Sequence, residues 1–114
     1  MKIGMLTVDV AHPSRHPEAV EAELLEMWHQ ARNRPEVRVV KIIHGHGSSG
    51  RGGTTREVTR NWLFKHRARF RAVIDGEDYS IADPATVELR REVGQDADSD
   101  LDRGNRGITL VWIR

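Results

Sequence analysis

The alternation of apolar and polar positions divides the chain into short strands and amphipathic helices. Lys2–Val10 alternates loosely and is rich in β-branched residues, which predicts a first strand. Val37–Ile43 is apolar almost throughout, as expected of a central strand. Phe70–Ile74 and Ile108–Ile113 are the third and fourth predicted strands, the last of them made of strong β-formers.

Three further segments have the patterns of helices. Within Glu18–Asn33 apolar residues recur at i, i+4, i+7, i+8 and i+11, which forms one stripe, and Pro17 stands at a favourable first position. Thr54–Lys65 is predicted as a second helix, with capping-box spacing between Thr54 and Glu57. Asp83–Gly94 predicts a short third helix, with aspartate as the N-cap and glycine as the terminator.

The element order β-α-β-α-β-β predicts an α/β fold, a two-layer sandwich with two main helices on a four-stranded mixed sheet. The 114 residues are expected to form a single domain, 1–114, with a polar acidic insertion at about 75–107 before the last strand. Within it, Gly94–Gly107 is predicted to be a mobile loop. Its alternating aspartates lack the glycine and glutamate of a calcium loop, so we expect a solvated acidic loop from Asp96, Asp98, Asp100 and Asp102.

Composition excludes several classes of protein. No apolar run approaches the roughly 20 residues of a membrane-spanning helix, so no membrane partner is expected. The absence of cysteine excludes disulfides and zinc-thiolate sites. With no secretory signal visible in the first ten residues, a cytoplasmic location is expected.

The formal net charge of +1 conceals two opposite segments. Residues 37–72 hold nine Lys and Arg residues against Glu57 alone, a net of +8, whereas residues 75–103 hold three against ten Asp and Glu residues, a net of −7. A basic segment of this kind is typical of contact with a phosphate backbone. The charge pattern therefore predicts a polarised molecule whose basic half carries the function.

A glycine-rich segment, His44–Gly53, joins the second predicted strand to the second helix. Such a strand–loop–helix start is a general anion cradle, because free backbone N–H groups and the helix dipole converge there. The glycine spacing of the Walker A phosphate-binding motif is present, but the lysine and the serine or threonine that should follow Gly50 are absent. The letters of a dinucleotide fingerprint are also present, but Gly52 and Gly53 break the chain and only 39 residues follow Asp75.

Histidines supply the remaining candidate chemistry. His44 and His46 flank a glycine in this loop, and Asp9 and His12 lie at the end of the first strand. If the first two strands pair in parallel, their ends are neighbours. Imidazole titrates near neutrality, so it can exchange protons with a nucleophile or a leaving oxygen.

The strand and loop KIIHGHGSSG, the helix carrying Trp62-Leu63 and the terminal TLVWI strand together resemble the Smr (small MutS-related) domain over residues 5–74 and 107–114. The sharpest element is His44-Gly45-His46-Gly47, which matches the family's H-G-x-G loop. The family's first-strand motif is usually Leu-Asp-x-His-Gly. Here Asp9 fits, Ala11 stands where the histidine is expected, and His12 follows it.

The resemblance implies a two-layer α/β sandwich, similar to the C-terminal domain of bacterial translation initiation factor three, that binds DNA or RNA. Several relatives are linked to nicking or RNA cleavage, so the leading hypothesis is a nucleic-acid-binding domain with structure-dependent endonuclease activity. His44 is the first candidate for general acid/base, with Asp9 or His12 orienting it or polarising water. Phosphate contacts are predicted for Gly45, His46, Gly47, Ser48, Gly50, Arg51, Thr54, Arg56 and Arg60.

Two alternatives stay open. One is a non-catalytic adaptor that kept the fold and the anion loop, with the acidic insertion binding a protein partner or competing with nucleic acid for the basic face. The other is a small nucleotide-binding enzyme. No metal site is convincing from residue spacing, and assistance by a divalent metal such as Mg²⁺ is the one cofactor left open.

Overall fold

The computed structural model describes residues 4–45, 53–94 and 98–114, with side chains at all of these except 53 and 54. The elements follow one another as β1 (Gly4–Asp9), α1 (Pro17–Arg32), β2 (Val37–Ile43), α2 (Gly53–Lys65), β3 (Phe70–Asp75), α3 (Pro84–Val93) and β4 (Ile108–Ile113). Every strand and helix predicted from the sequence is present, with ends within two residues of the predicted ones.

The four strands form one mixed sheet in the order β1-β2-β4-β3. β1 and β2 are parallel, whereas β4 is antiparallel to both of its neighbours, β2 and β3. The predicted α/β class is therefore confirmed. A dinucleotide-binding fold requires an open, mostly parallel sheet, so this strand order does not support the small nucleotide-binding enzyme.

The helices α1 and α2 cover one face of the sheet. The predicted apolar stripe of α1 is buried, and it packs on Trp62 and Leu63 of α2 and on Val40 and Val111 of the sheet. Full burial of a valine, leucine or methionine side chain contributes about 1.5–3 kcal/mol relative to exposure. The buried residues of the stripe are Val20, Leu24, Met27 and Ala31.

The insertion covers the opposite face. Leu89 of α3 and Tyr79 are buried against a second apolar cluster to which Val39, Ile74 and Trp112 belong. Because both faces are covered, all six residues of β4 are buried. The sequence predicted α3 from its caps, and the Asp83 carboxylate does accept a hydrogen bond from the Thr86 N–H at 2.9 Å. Its packing on the second face is a finding of the structure.

The described part of the predicted mobile loop is anchored to the sheet, so the expectation of a solvated acidic loop was wrong there. Lys41, in the centre of β2, is only 8% exposed, and its Nζ lies 2.7 Å from both Asp98 Oδ1 and Asp100 Oδ2. The Tyr79 hydroxyl donates to Asp98 as well. The physical reason is that a lysine in a strand buried on both faces requires carboxylates, and the insertion supplies them.

A close approach of backbone to backbone fixes the start and the end of the insertion together. A Cβ atom placed on Gly76 would lie 1.9 Å from the Asn105 carbonyl oxygen, so no side chain fits at this position. Among residues 4–45, 53–94 and 98–114, no helix combines the length and the apolar composition of a membrane span.

Candidate functional site

The carboxyl ends of β1 and β2 lie side by side, as the sequence predicted. Asp9 pairs with Ile43 in the parallel register, and the Val10 N–H donates to the Ile43 carbonyl. The residues that follow each strand are therefore neighbours, and Ala11 lies next to Gly45. This edge brings together Asp9, His12 and His44.

Asp9 and His12 form a carboxylate–imidazole pair at the surface. Nδ1 of His12 lies 2.9 Å from Asp9 Oδ2, while Oδ1 accepts from the N–H groups of Ala11 and His12. Partial burial opposes ionisation, but these hydrogen bonds outweigh it and hold the pKa of the Asp9 carboxyl below its usual value. The carboxylate thus stays ionised near neutral pH, and the pair reproduces the geometry in which a base orients a histidine.

Arg15 supports this turn and was not predicted. Its guanidinium donates to the Asp9 carbonyl and also to the Glu23 carboxylate on α1. The ion pair joins the turn after β1 to the helix that follows it. The sequence gives no sign of this role. Arg15 lies in a turn between two prolines, outside any strand or helix pattern, and most of its neighbours in the chain are exposed.

His44 is inside the protein rather than at its surface. The side chain is 1% exposed, with Nδ1 2.8 Å from the Gly45 carbonyl oxygen and Nε2 2.9 Å from Thr109 Oγ1. In this conformation neither ring nitrogen can contact a phosphodiester. The position of His44 fits an imidazole that holds the start of the glycine loop against β4.

The hydrogen bonds determine which form of the His44 ring is present. Burial lowers the pKa of His44 to about 4, the nearby Arg60 and Arg56 lower it too, and the hydrogen bond to the Gly45 carbonyl opposes them. The ring is therefore neutral at pH 7. Because a carbonyl oxygen only accepts, the proton of the neutral ring is on Nδ1.

Thr109 extends this contact into a network that the sequence analysis missed. Its Oγ1 lies 3.2 Å from Asp75 Oδ1, and Arg60 Nε lies 3.3 Å from the same carboxylate oxygen. The guanidinium of Arg60 also forms two hydrogen bonds to Glu77, at 2.6 and 3.0 Å. The available signal was Thr109 itself, a polar residue in an otherwise apolar strand.

The predicted phosphate ligands have different environments. The N–H of Gly45 donates to the Gly107 carbonyl at 3.0 Å, so it is not available to a phosphate, and its φ of 73° favours glycine. The Arg60 guanidinium is occupied by Glu77 and Asp75, whereas Arg56 forms no ion pair with any described residue. His46, Gly47, Ser48, Gly50 and Arg51 lie outside the described residues, as does the side chain of Thr54.

The acidic insertion neutralises much of the basic segment, which corrects the prediction of a polarised molecule. Of the eight cations of this segment that the structure describes, four pair with carboxylates of residues 75–103. The charges are separated along the chain but interleaved in space, because the insertion folds back onto the sheet. The paired cations are Arg38, Lys41, Arg60 and Arg71.

Side chains that could ligate a metal ion are dispersed over the described part of the chain. In residues 4–45, 53–94 and 98–114, no three His, Asp or Glu side chains are grouped as they would be around a metal ion. Mg²⁺ assistance therefore stays a prediction for experiment.

The two-helix face, the mixed sheet and the paired strand ends define the fold of an Smr domain. The chain superposes on the crystal structure of the Smr domain of Thermus thermophilus MutS2 with a TM-score of 0.55 and 18% sequence identity, covering 100% of this chain and 99% of that chain. The resemblance indicated by the motifs is thereby confirmed at the level of the fold. Neither a protein-family model nor a curated protein matches the chain.

Proposed function

We propose that this protein binds DNA or RNA at the carboxyl ends of β1 and β2, and that it cleaves phosphodiester bonds there with His12 and Asp9. The observation that carries the proposal is the exposed Asp9–His12 pair beside the start of the glycine loop. The Smr fold supports it, because the resemblance implies nucleic-acid binding.

The chemistry assigned to the pair is general acid/base catalysis. With Nδ1 donating to Asp9, Nε2 of His12 carries a lone pair and is free to take a proton from an attacking water. A new P–O bond forms as the bond to the leaving oxygen breaks, and the imidazolium returns its proton to that oxygen. Asp9 stabilises the imidazolium between the two transfers. His44 is assigned a positioning role, since it holds Gly45 and Thr109 together.

The second candidate is the non-catalytic adaptor, and one observation favours it. The histidine of the H-G-x-G match is buried with both nitrogens hydrogen bonded, and the first-strand histidine is displaced by one position. An adaptor needs only the binding surface. Both candidates therefore bind nucleic acid, and only the first of them cleaves it.

Replacement of His12 by alanine is expected to lower the rate of cleavage about 100-fold or more, because positioned acid/base groups contribute that much. The Kd for the same substrate should stay within about threefold, since His12 is one contact among many. The assay uses branched DNA and structured RNA, with Mg²⁺ and with chelator. His29→Ala, which removes an exposed imidazole from α1, is the matched control.

Three outcomes separate the candidates. Binding with no cleavage by the wild-type protein under any condition would support the adaptor. Cleavage that survives in both His12→Ala and Asp9→Asn would remove the pair from the mechanism. No binding to either nucleic acid at low salt would overturn the proposal as a whole.

Arg56 and Arg60 are expected to differ in their contributions to binding. Arg56→Gln should raise the Kd about fivefold and reduce the slope of log K against log salt by about 1, because an unpaired cation releases one counterion on binding a phosphate. Arg60→Gln should leave that slope nearly unchanged, because Glu77 already neutralises the guanidinium. An equal reduction of the slope of log K against log salt in both variants would show that Arg60 leaves Glu77 in order to bind phosphate.

Competition between the insertion and nucleic acid is best tested by charge rather than by deletion. Removing residues 83–102 would also remove Leu89 from the second face of the sheet, and the exposed core would obscure the result. Glu77→Gln keeps the packing and removes one of the two carboxylates that pair with Arg60. We propose that this variant binds nucleic acid more tightly than the wild type, and unchanged affinity would refute competition at this position.

The exposed side of the insertion is the surface to which a protein partner is assigned. It carries Ile81, which is 60% exposed, beside exposed acidic residues. Capture of a partner that is lost on Ile81→Asp, with nucleic-acid binding intact, would support this assignment.

A further inference from the structure

A cleft of about 690 Å³ lies between α2 and β3, apart from the Asp9–His12 pair. Phe64 of α2 is 67% exposed and Val73 of β3 is 36% exposed, which is unusual for two large apolar side chains that line one cleft. β3 is an edge strand with β4 as its neighbour. The cleft is named here the α2–β3 cleft.

The cleft carries cations that the rest of the described protein does not neutralise. The Arg67 guanidinium lies over one face of the Phe64 ring, 4.1 Å from its centroid, and it donates to the Phe64 carbonyl. Arg114 donates to the Phe70 carbonyl. Neither guanidinium pairs with a carboxylate among the described residues, and the one carboxylate that lines the cleft, Asp75, is occupied by Arg60.

These features together select a ligand class. An exposed aromatic ring bordered by guanidinium groups is the arrangement that holds unpaired nucleotides, because every base has a flat face for stacking and every phosphate a negative charge. Asn61 adds an amide that can hydrogen bond to the edge of a base. Inside a duplex the bases are stacked on one another, so only a terminal base pair has a face to offer to Phe64.

The edge of β3 argues against an acidic peptide as the occupant. An extended peptide would bind by adding a strand to this edge, which requires a regular ladder of free N–H and C=O groups. The register of β3 is irregular between Phe70 and Ala72, and the exposed Arg71 lies at this point. Irregularities and charges of this kind are the means by which proteins protect sheet edges from added strands.

Side-chain contacts connect the cleft to the end of β2. Arg60 lines the cleft and lies 3.4 Å from Thr109 Oγ1, and Thr109 contacts His44. We propose that the α2–β3 cleft binds the unpaired nucleotides of a nucleic acid, with a base stacked on Phe64 and phosphates on Arg67 and Arg114. This inference rests on the nucleic-acid binding proposed above and names the structure of the substrate, a single strand or a single-stranded flank.

The test compares a labelled single strand of about 12 nucleotides with a blunt duplex of equal length, by fluorescence anisotropy. Phe64→Ala is expected to raise the Kd for the single strand about tenfold and to change the Kd for the duplex less than about twofold, because stacking is lost and the phosphate contacts remain. Phe64→Trp should keep the affinity and gain fluorescence quenching on binding, beyond that of the wild type. Ile81→Ala, which removes an exposed apolar residue from the insertion, is the matched control.

Each result has a defined meaning. An unchanged single-strand Kd in Phe64→Ala, in a wild type that binds both ligands, would overturn the cleft and leave the proposed function intact. Equal losses for single strand and duplex would also overturn it, since stacking then plays no part. Displacement of the cleft's ligand by an acidic, aromatic peptide at lower concentration than the oligonucleotide would assign the cleft to a protein. If the wild type binds no nucleic acid, the proposed function and this inference fall together.

Discussion

Replacement of Lys41 by methionine is expected to lower the free energy of unfolding by about 3 kcal/mol, because it leaves two half-buried carboxylates without their shared cation. The Nζ atom lies 2.7 Å from an oxygen of Asp98 and of Asp100. The two aspartates then face each other at the base of the insertion, with hydrogen bonds from the Tyr79 hydroxyl, the Asn105 amide and the Asp100 N–H but without a cation from β2. Urea denaturation of both proteins at pH 7 measures the loss.

A variant without any of the three charges is the control for Lys41→Met. Lys41→Met combined with Asp98→Asn and Asp100→Asn removes all three charges, and it should recover much of the stability, since a buried ionic cluster is strongly destabilised by removal of one partner and far less by removal of all. A loss below about 1 kcal/mol in the single variant would show that water enters the cluster.

The cluster also has a defined dependence on pH. The hydrogen bond from Lys41 holds the pKa of the Asp100 carboxyl below its usual value. The contribution of the Asp100 carboxylate to the free energy of unfolding is complete at pH values above the pKa of this carboxyl in the unfolded chain. The contribution is lost as the pH falls through the lower pKa of the folded protein. Burial opposes the charge on Lys41, but the two aspartates outweigh it and raise its pKa, so the cation persists near neutral pH.

Acidification from pH 7 to pH 4 is expected to cost about 3 kcal/mol of folding free energy through His44 alone. The pKa of this imidazole is about 4 in the folded protein and about 6.5 in the unfolded chain, and each unit of difference corresponds to about 1.4 kcal/mol. The folded state resists the proton, so stability is complete above pH 6.5 and decreases as the pH falls from there to about 4.

Carboxylates also titrate at the acid end of this range. The test therefore compares the pH dependence of stability of the wild type with that of a variant that lacks the imidazole. His44→Gln keeps a donor and an acceptor in the cavity and should flatten the stability profile between pH 6.5 and 4, measured by urea denaturation at each pH. His66→Gln is the control, because burial also lowers the pKa of His66 but the side chain is partly exposed. Parallel profiles for the wild type and His44→Gln would show that the folded protein accepts the proton at His44.

The elements were predictable because each carries a local signal. Alternation and β-branching marked the strands, the apolar stripe and Pro17 marked α1, and Asp83 and Gly94 bounded α3. The partners of α3 were not predictable, since its short apolar face does not say which side of a sheet it covers. The ion pairs of Lys41 were not predictable either, because a lysine in a strand is normally exposed, and only the structure shows that both faces of β2 are covered.

The candidate site was predictable in its location and not in its geometry. Parallel pairing of β1 and β2 follows from the βαβ order, and it placed Asp9, His12 and His44 at one edge. That His44 turns inward depends on Thr109, which is 65 residues away in the chain. Contacts between residues far apart in the chain produce no periodic pattern in the sequence. The ion pair between Arg60 and Glu77 is a second contact that no sequence pattern indicates.

The position of β4 between β2 and β3 also governs how the protein assembles. β1 and β2 can pair as soon as α1 forms, but β3 has no partner until β4 arrives after residues 76–107. Closing so long a loop carries an entropic cost before any contact is gained, and such non-local pairing slows folding. During synthesis, the edges of β2 and β3 that β4 will later occupy stay exposed together, and this interval is when the chain is most prone to aggregate.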